Sequence, residues 1–294
     1  MSVFQSLALE RLAPETLALV LILISALSHA LVGAVMKRSD DKLILRGVLG
    51  VTAAILALPF ALYLPFPPLN VWLVLLGGVG IHFVYHLTQA AAFTKGDMSV
   101  VYPIMRGFAP ALTALFAFLF LKESLSPIET LGLFIVVLSL LGFAWPEKIK
   151  VEGWRGAIAF ALASGLLTAI YTVVDTYGVR LAPHKFSFIA WFFVIEGIGI
   201  GLIVSVMKRG GLRAKITRDL KGGIIAGIFG VMTYTTALWA FSLAPIAGLA
   251  ALRETSVIFG ALLATFWLGE RFGLKRILLA SLLAFGLFLM HAKG

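Results

Sequence analysis

Apolar residues run in long stretches along this chain, each about the length a helix needs to cross a bilayer. Ten are read, at residues 16–36, 44–63, 70–92, 99–121, 128–145, 155–179, 186–207, 222–242, 248–268 and 273–291. Polar and helix-breaking residues fill the short gaps. Pro65, Pro67 and Pro68 part the second stretch from the third, and Gly210 and Gly211 part the seventh from the eighth. The stretches are too long, and alternate too seldom, to be strands of an outer-membrane barrel. The pattern predicts an all-α integral membrane protein with ten transmembrane helices.

Composition agrees and removes several classes of function. Of 294 residues, 61% are hydrophobic and 13% charged, and the mean hydropathy is +1.03. Soluble domains hold about 45–50% apolar and about 25% charged residues. There is no cysteine, which excludes disulfides, thiolate metal sites and a thiol nucleophile. The net charge of +10 comes from Lys and Arg placed between apolar runs, the position of topogenic charge, so no nucleic-acid partner is expected. No GxxxxGK[ST] loop occurs, so ATP hydrolysis by this chain is excluded. No GxSxG or intramembrane protease signature occurs either, and an enzyme is not expected.

The two halves repeat. A shift of 147 residues, half the chain, lays Arg106 on Arg253 and Glu123 on Glu270, together with several alanines and leucines. Charged residues that coincide inside or at the end of an apolar run carry more weight than apolar matches. Residues 1–147 and 148–294 therefore read as two modules of five helices each. An odd number of crossings inserts the second module upside down, giving two inverted five-helix repeats, an arrangement common among secondary transporters.

Residues 102–143, YPIMRGFAPALTALFAFLFLKESLSPIETLGLFIVVLSLLGF, show a small-residue helix that ends in Leu-x-Glu, a short turn and a Gly-containing apolar helix. Residues 253–289 repeat the pattern. Both resemble the EamA family of the drug/metabolite transporter superfamily. Pro110 of the first module falls on Val257 of the second, so the second lacks the helix proline. The resemblance implies a secondary transporter in the plasma (inner) membrane that moves small polar metabolites, amino acids or related compounds, commonly outward. An exchanger of anionic or phosphorylated metabolites is the alternative, and a lipid flippase remains as another.

Orientation is read in two ways. Gaps after odd-numbered helices hold 17 Lys and Arg, among them Arg46, against five for the termini and other gaps. The positive-inside rule then places both termini outside the cytoplasm. The resemblance implies cytoplasmic termini.

Polar residues inside the predicted spans mark the candidate site, because such groups should face protein or water rather than lipid. The third helix carries His82, Tyr85, His86 and Gln89 on one face. The two histidines have the spacing of a zinc helix, but HFVYH lacks the glutamate a metalloprotease needs, so no metal is expected. The fourth helix puts Tyr102, Arg106, Pro110 and Thr113 on one face. A central Arg costs about 2.5–3.5 kcal/mol on insertion scales, which calls for a partner or ligand unless the side chain snorkels to an interface. The sixth helix aligns Tyr171, Thr172 and Asp175. Asp175 reads either as a proton-coupling carboxylate or as the partner of Arg106 or Arg253. Glu196, Tyr234, Trp239, Arg253 and Glu254 complete the set, while Glu123 and Glu270 read as interfacial anchors. A cavity lined by helices three, four, six, eight and nine is expected at mid-depth. It would hold a small-molecule substrate without a cofactor, with proton coupling as an option, in a bilayer-embedded monomer or homodimer.

Overall fold

The computed structural model describes residues 13–96, 98–144, 154–268 and 273–292, and every described element is helical. Glu270 lies outside the described residues. The helices are α1 Pro14–Arg38, α2 Lys42–Tyr63, α3 Leu69–Lys95, α4 Met98–Phe116, α5 Pro127–Ala144, α6 Trp154–Leu181, α7 Lys185–Met207, α8 Leu212–Phe241, α9 Ile246–Arg253, α10 Thr255–Leu268 and α11 Leu274–His291. Among the described residues nine crossings are long and apolar enough to span a bilayer, with α9 running into α10 as one of them, and α5 supplies a shorter apolar tenth.

Local chemistry sets the ends. Pro14 occupies the first turn of α1, where its missing N–H costs nothing. Asp41 caps α2 by accepting from the N–H groups of Leu43 and Ile44 at 3.2 and 3.3 Å. Ser126 and Glu129 form a reciprocal capping box before α5. Helix α4 winds into a π turn at Ala117–Leu121 and stops at Lys122, which has φ 60°.

Two boundaries differ from expectation. Helix α8 begins ten residues before the apolar run at 222, after Gly211 at φ 67°. Hydropathy locates the buried length of a helix, whereas 212–221 are polar helix formers that continue it into water. The ninth crossing breaks at Glu254 into α9 and α10. Arg253 closes α9 and Glu254 is the break itself, with the Glu254 N–H bonded to the Ala251 carbonyl at 3.0 Å.

The packing repeats with the sequence. Helix α1 lies on α8 as α3 lies on α6, and α4 lies on α6 as α9 and α10 lie on α1. All of these pairs join one module to the other, and two more set a helix against its own repeat counterpart, α2 with α7 and α5 with α11. In the first, Gly50 meets Gly197, its own counterpart 147 residues on; a Cβ on Gly197 would sit 2.1 Å from the Gly50 carbonyl oxygen. In the second, Gly132 faces Gly286, and the Ser139 hydroxyl donates to the Leu279 carbonyl at 2.5 Å. Gly132 and Leu279 are repeat counterparts, as are Ser139 and Gly286, so each contact is the image of the other. This is a two-fold relation between halves of five crossings each, the geometry of inverted repeats.

The outside is apolar and the inside carries the charge. Phe60, Leu62, Phe120, Leu278 and Phe288 are exposed, while His82, His86, Arg106, Asp175, Glu196, Arg253 and Glu254 are buried. That distribution suits lipid rather than water as the surrounding solvent. On the basic face, Asp41 bonds Lys208 at 2.8 Å and Asp40 pairs with Arg218. Partial burial alone would raise the Asp41 carboxyl. The Lys208 hydrogen bond and charge and the two cap N–H groups outweigh burial and hold it below the usual carboxylate value.

Candidate functional site

Helix α3 organises the interior because His82 and His86 stand one turn apart on it and point into separate polar groups. His82 Nε2 lies 2.8 Å from Asp175 Oδ2 on α6 and 3.1 Å from the Tyr234 hydroxyl on α8. The Tyr234 hydroxyl donates to the same Asp175 oxygen at 2.5 Å. Room for this carboxylate comes from Gly78, where a Cβ would sit 2.3 Å from Asp175 Oδ1. That oxygen is buried and has no hydrogen-bond partner among the described residues.

His86 Nε2 lies 2.8 Å from Glu196 Oε1 on α7 and 2.6 Å from Arg46 Nη2 on α2. Arg46 also reaches Glu196 at 3.3 Å. A third group joins α4 to the broken ninth crossing: Arg106 Nε pairs with Glu254 Oε2 at 2.9 Å, and Arg106 Nη2 donates to Ser256 Oγ at 3.1 Å. The Tyr102 ring stacks against Arg106. Arg106 is thus buried and neutralised, not snorkelling.

Its repeat counterpart is treated differently. Arg253 is 8% exposed, lies over the Tyr234 ring at 5.8 Å, and has no carboxylate within ion-pair distance among the described residues. The Arg253 Nε has no hydrogen-bond partner there either. Asp175 therefore pairs with His82, not with Arg106 or Arg253 as one sequence reading had it, because α6 faces α3 across Gly78.

Between these groups lies a cavity of about 100 Å³. Its wall includes His82, Tyr85, His86, Tyr171, Tyr234 and Arg253 from the sequence-selected set. Asp175 stands one hydrogen bond behind it. Gln89 donates to the Tyr85 hydroxyl at 2.7 Å and lines a smaller gap of about 30 Å³ toward the basic face. Tyr102, Arg106 and Glu254 sit in the neighbouring ion-paired group. Two residues fall elsewhere. The Thr172 hydroxyl is spent on the Thr168 carbonyl, and Trp239 packs edge-on against Phe186 in the apolar core.

The wall also contains two residues the sequence reading passed over, His29 of α1 and Arg46 of α2, and it includes Glu196 of α7, so α1, α2 and α7 contribute where α4 was expected. Arg46 was counted as loop charge; it lies inside α2 and turns inward. A polar side chain within an apolar run was the available signal for His29 and Arg46 alike. Several polar atoms around the cavity have no hydrogen-bond partner among the described residues: Arg46 Nε, Arg253 Nε, His86 Nδ1 and Thr233 Oγ1. Buried polar atoms without a partner are costly in a bilayer and mark a place for water or a polar ligand.

The face at which α1 begins and α11 ends is tied across by hydrogen bonds. Arg180 donates to the carbonyls of Phe241 and Ala244, both at 2.8 Å, and to Glu123 at 2.7 Å. Glu123 in turn accepts from the Ile246 N–H at the start of α9. Phe66, in the loop between α2 and α3, meets Trp72 and Trp191 in tilted and edge-on contacts with centroids 5.1–5.6 Å apart. Glu123 is an anchor, as its interfacial position implied.

Ten crossings in two inverted modules, with an enclosed polar cavity between them, define a multi-pass membrane transporter of the inverted-repeat class. The profile of the EamA-like transporter family matches residues 16–145 and again 155–292. The chain belongs to the EamA-like transporter family, within the drug/metabolite transporter superfamily. One solved crystal structure is similar over 94% of this chain and 96% of its own, with a TM-score of 0.72 and 14% identity. At that identity the likeness carries the fold alone. No curated protein matches the chain at a significant level.

Proposed function

We propose that the protein is a secondary transporter that moves small polar metabolites bearing a carboxylate, amino acids or related compounds, outward across the plasma membrane by alternating access. The observation that carries this reading is Arg253, a buried guanidinium without an ion-pair partner among the described residues, in the wall of a cavity at mid-depth. A charge held there without a counter-ion is expensive, and a substrate carboxylate would offset that cost with bidentate hydrogen bonds. The aromatic faces of Tyr85, Tyr171 and Tyr234 would enclose the remainder of the molecule.

Arg106 is already neutralised by Glu254, so one guanidinium is available rather than two. That favours a single carboxylate over a phosphorylated substrate, which would draw on both. Asp175 supports coupling to protons. It is buried against His82 and Tyr234, both able to pass a proton, and one of its oxygens is unspent.

A substrate panel in proteoliposomes, with and without a pH gradient, tests the proposal. Uptake of amino acids or related carboxylates that rises with the gradient supports it. Transport confined to phosphorylated metabolites, or to lipid, contradicts it.

A further inference from the structure

We propose that His86 and Glu196 form a proton-binding latch, held shut by Arg46, which opens the cavity toward the basic face when it takes up a proton. The geometry leaves Arg46 and a proton competing for one nitrogen. His86 Nε2 is 2.6 Å from Arg46 Nη2 and 2.8 Å from Glu196 Oε1. A neutral imidazole nitrogen holds either a lone pair or a hydrogen. With the lone pair it accepts from Arg46, and its contact with Glu196 then brings two acceptors together with no hydrogen between them. With the hydrogen it donates to Glu196, and the Arg46 N–H faces another donor at hydrogen-bond distance. Both contacts cannot be satisfied at once.

Arg46 is the member that can leave. Its side chain is 26% exposed, against 3% for His86 and 5% for Glu196. Arg46 and His86 line both the cavity and the small gap beyond it, so they form the partition between the two. With neutral His86, the Arg46 and Glu196 charges cancel. One added proton leaves a surplus positive charge in a poorly solvated wall, where such a charge is costly.

The surroundings offer no second anion to absorb that surplus. His29 on α1, Lys42 on α2, His82 and Tyr85 on α3, Tyr171 on α6, Tyr234 on α8 and Arg253 on α9 are the titratable or charged groups around the two spaces. Asp175 is engaged by His82 and Tyr234. Among the described residues Glu196 is the only carboxylate within ion-pair distance of Arg46. Uptake of the proton therefore expels Arg46 toward water on the basic face and removes the partition. The latch concerns access alone and stands whether or not the cargo is the one proposed above.

Because the chain has no cysteine, Thr233→Cys places a single thiol in the cavity wall. Vesicles with the basic face outward are treated with a cationic, membrane-impermeant methanethiosulfonate at about pH 4 and about pH 7.5, a span that reaches well below the ordinary imidazole value. Acid by itself slows thiol labelling by removing thiolate, so each rate is divided by that of the detergent-unfolded protein at the same pH. The normalised rate should rise on the order of tenfold in acid, since a unit of pH changes a loaded fraction by up to that factor. Glu196→Gln, which mimics the protonated carboxyl, should label fast at both values. So should Arg46→Gln, which removes the plug; if Glu196→Gln does not fold, Arg46→Gln decides alone. An unchanged normalised rate in the otherwise native protein overturns the latch, as does a full acid response that survives in either variant. Labelling reads access without any substrate, so its outcome is independent of the transport assay.

Discussion

Gly197→Ala adds one methyl group where the two modules touch on their pseudo-axis. Its Cβ would stand 2.1 Å from the Gly50 carbonyl oxygen, 2.8 Å from the Gly50 carbonyl carbon and 2.9 Å from the Ala54 Cβ. Two of these atoms are backbone, so no rotamer change relieves the clash, and α2 and α7 must separate by about 1 Å to reach ordinary contact. Overpacking of this kind costs about 1–3 kcal/mol. For a chain of this size that corresponds to a melting temperature lower by roughly 2–10 °C. Glu196 adjoins Gly197, and Arg46 lies one turn from Gly50, so the same separation should pull Glu196 away from Arg46. The assay is thermal unfolding in detergent, followed by the monodisperse fraction on size exclusion. Gly80→Ala is the control, since its Cβ would meet nothing within 4 Å and alanine is the better helix former. A Gly197→Ala protein as stable as the control would refute the claim that these helices depend on direct backbone contact.

Two further outcomes follow from named contacts. Asp175→Asn keeps the shape of the buried side chain but cannot ionise; accumulation driven by a pH gradient should vanish while substrate counterflow persists, and wild-type accumulation with an unaltered pH profile would make Asp175 structural. Asp41 titrates below the ordinary carboxylate value when folded, so the unfolded chain binds its proton more readily. Its contribution is whole above about pH 4 and drains as pH falls through the folded value; Asp41→Asn should flatten that part of the melting-temperature profile, and Asp41→Ala should also lose about 1 kcal/mol from the cap.

The ten crossings were legible because a bilayer demands about 20 apolar residues for each of them. The inverted repeat was legible through Arg106 and Arg253, two charges that chance does not easily align. The start of α8 was not, because residues 212–221 form a helix in water that hydropathy cannot register. The stripe His82, Tyr85 and His86 reached the cavity because helical periodicity fixes which side chains share a face. Periodicity does not say which partner a face meets, so Trp239 was grouped with the site although it packs on Phe186. Arg46 was lost for a related reason: a charge near a helix end looks topogenic until tertiary packing turns it toward Glu196. The unlike states of Arg106 and Arg253, one paired with Glu254 and one bare, accompany a break in the ninth crossing at Glu254. Nothing in the apolar pattern announced that break.

In the proposed mechanism Arg253 receives the carboxylate of the transported molecule. The most direct measurement compares counterflow of a carboxylate taken from the substrate panel with that of its uncharged amide, in proteoliposomes holding the native protein or Arg253→Gln. The native protein should move the carboxylate and discriminate against the amide, and Arg253→Gln should lose most of that discrimination while still folding to a monodisperse protein. Arg253→Gln that prefers the carboxylate as strongly as the native protein does would contradict the assignment.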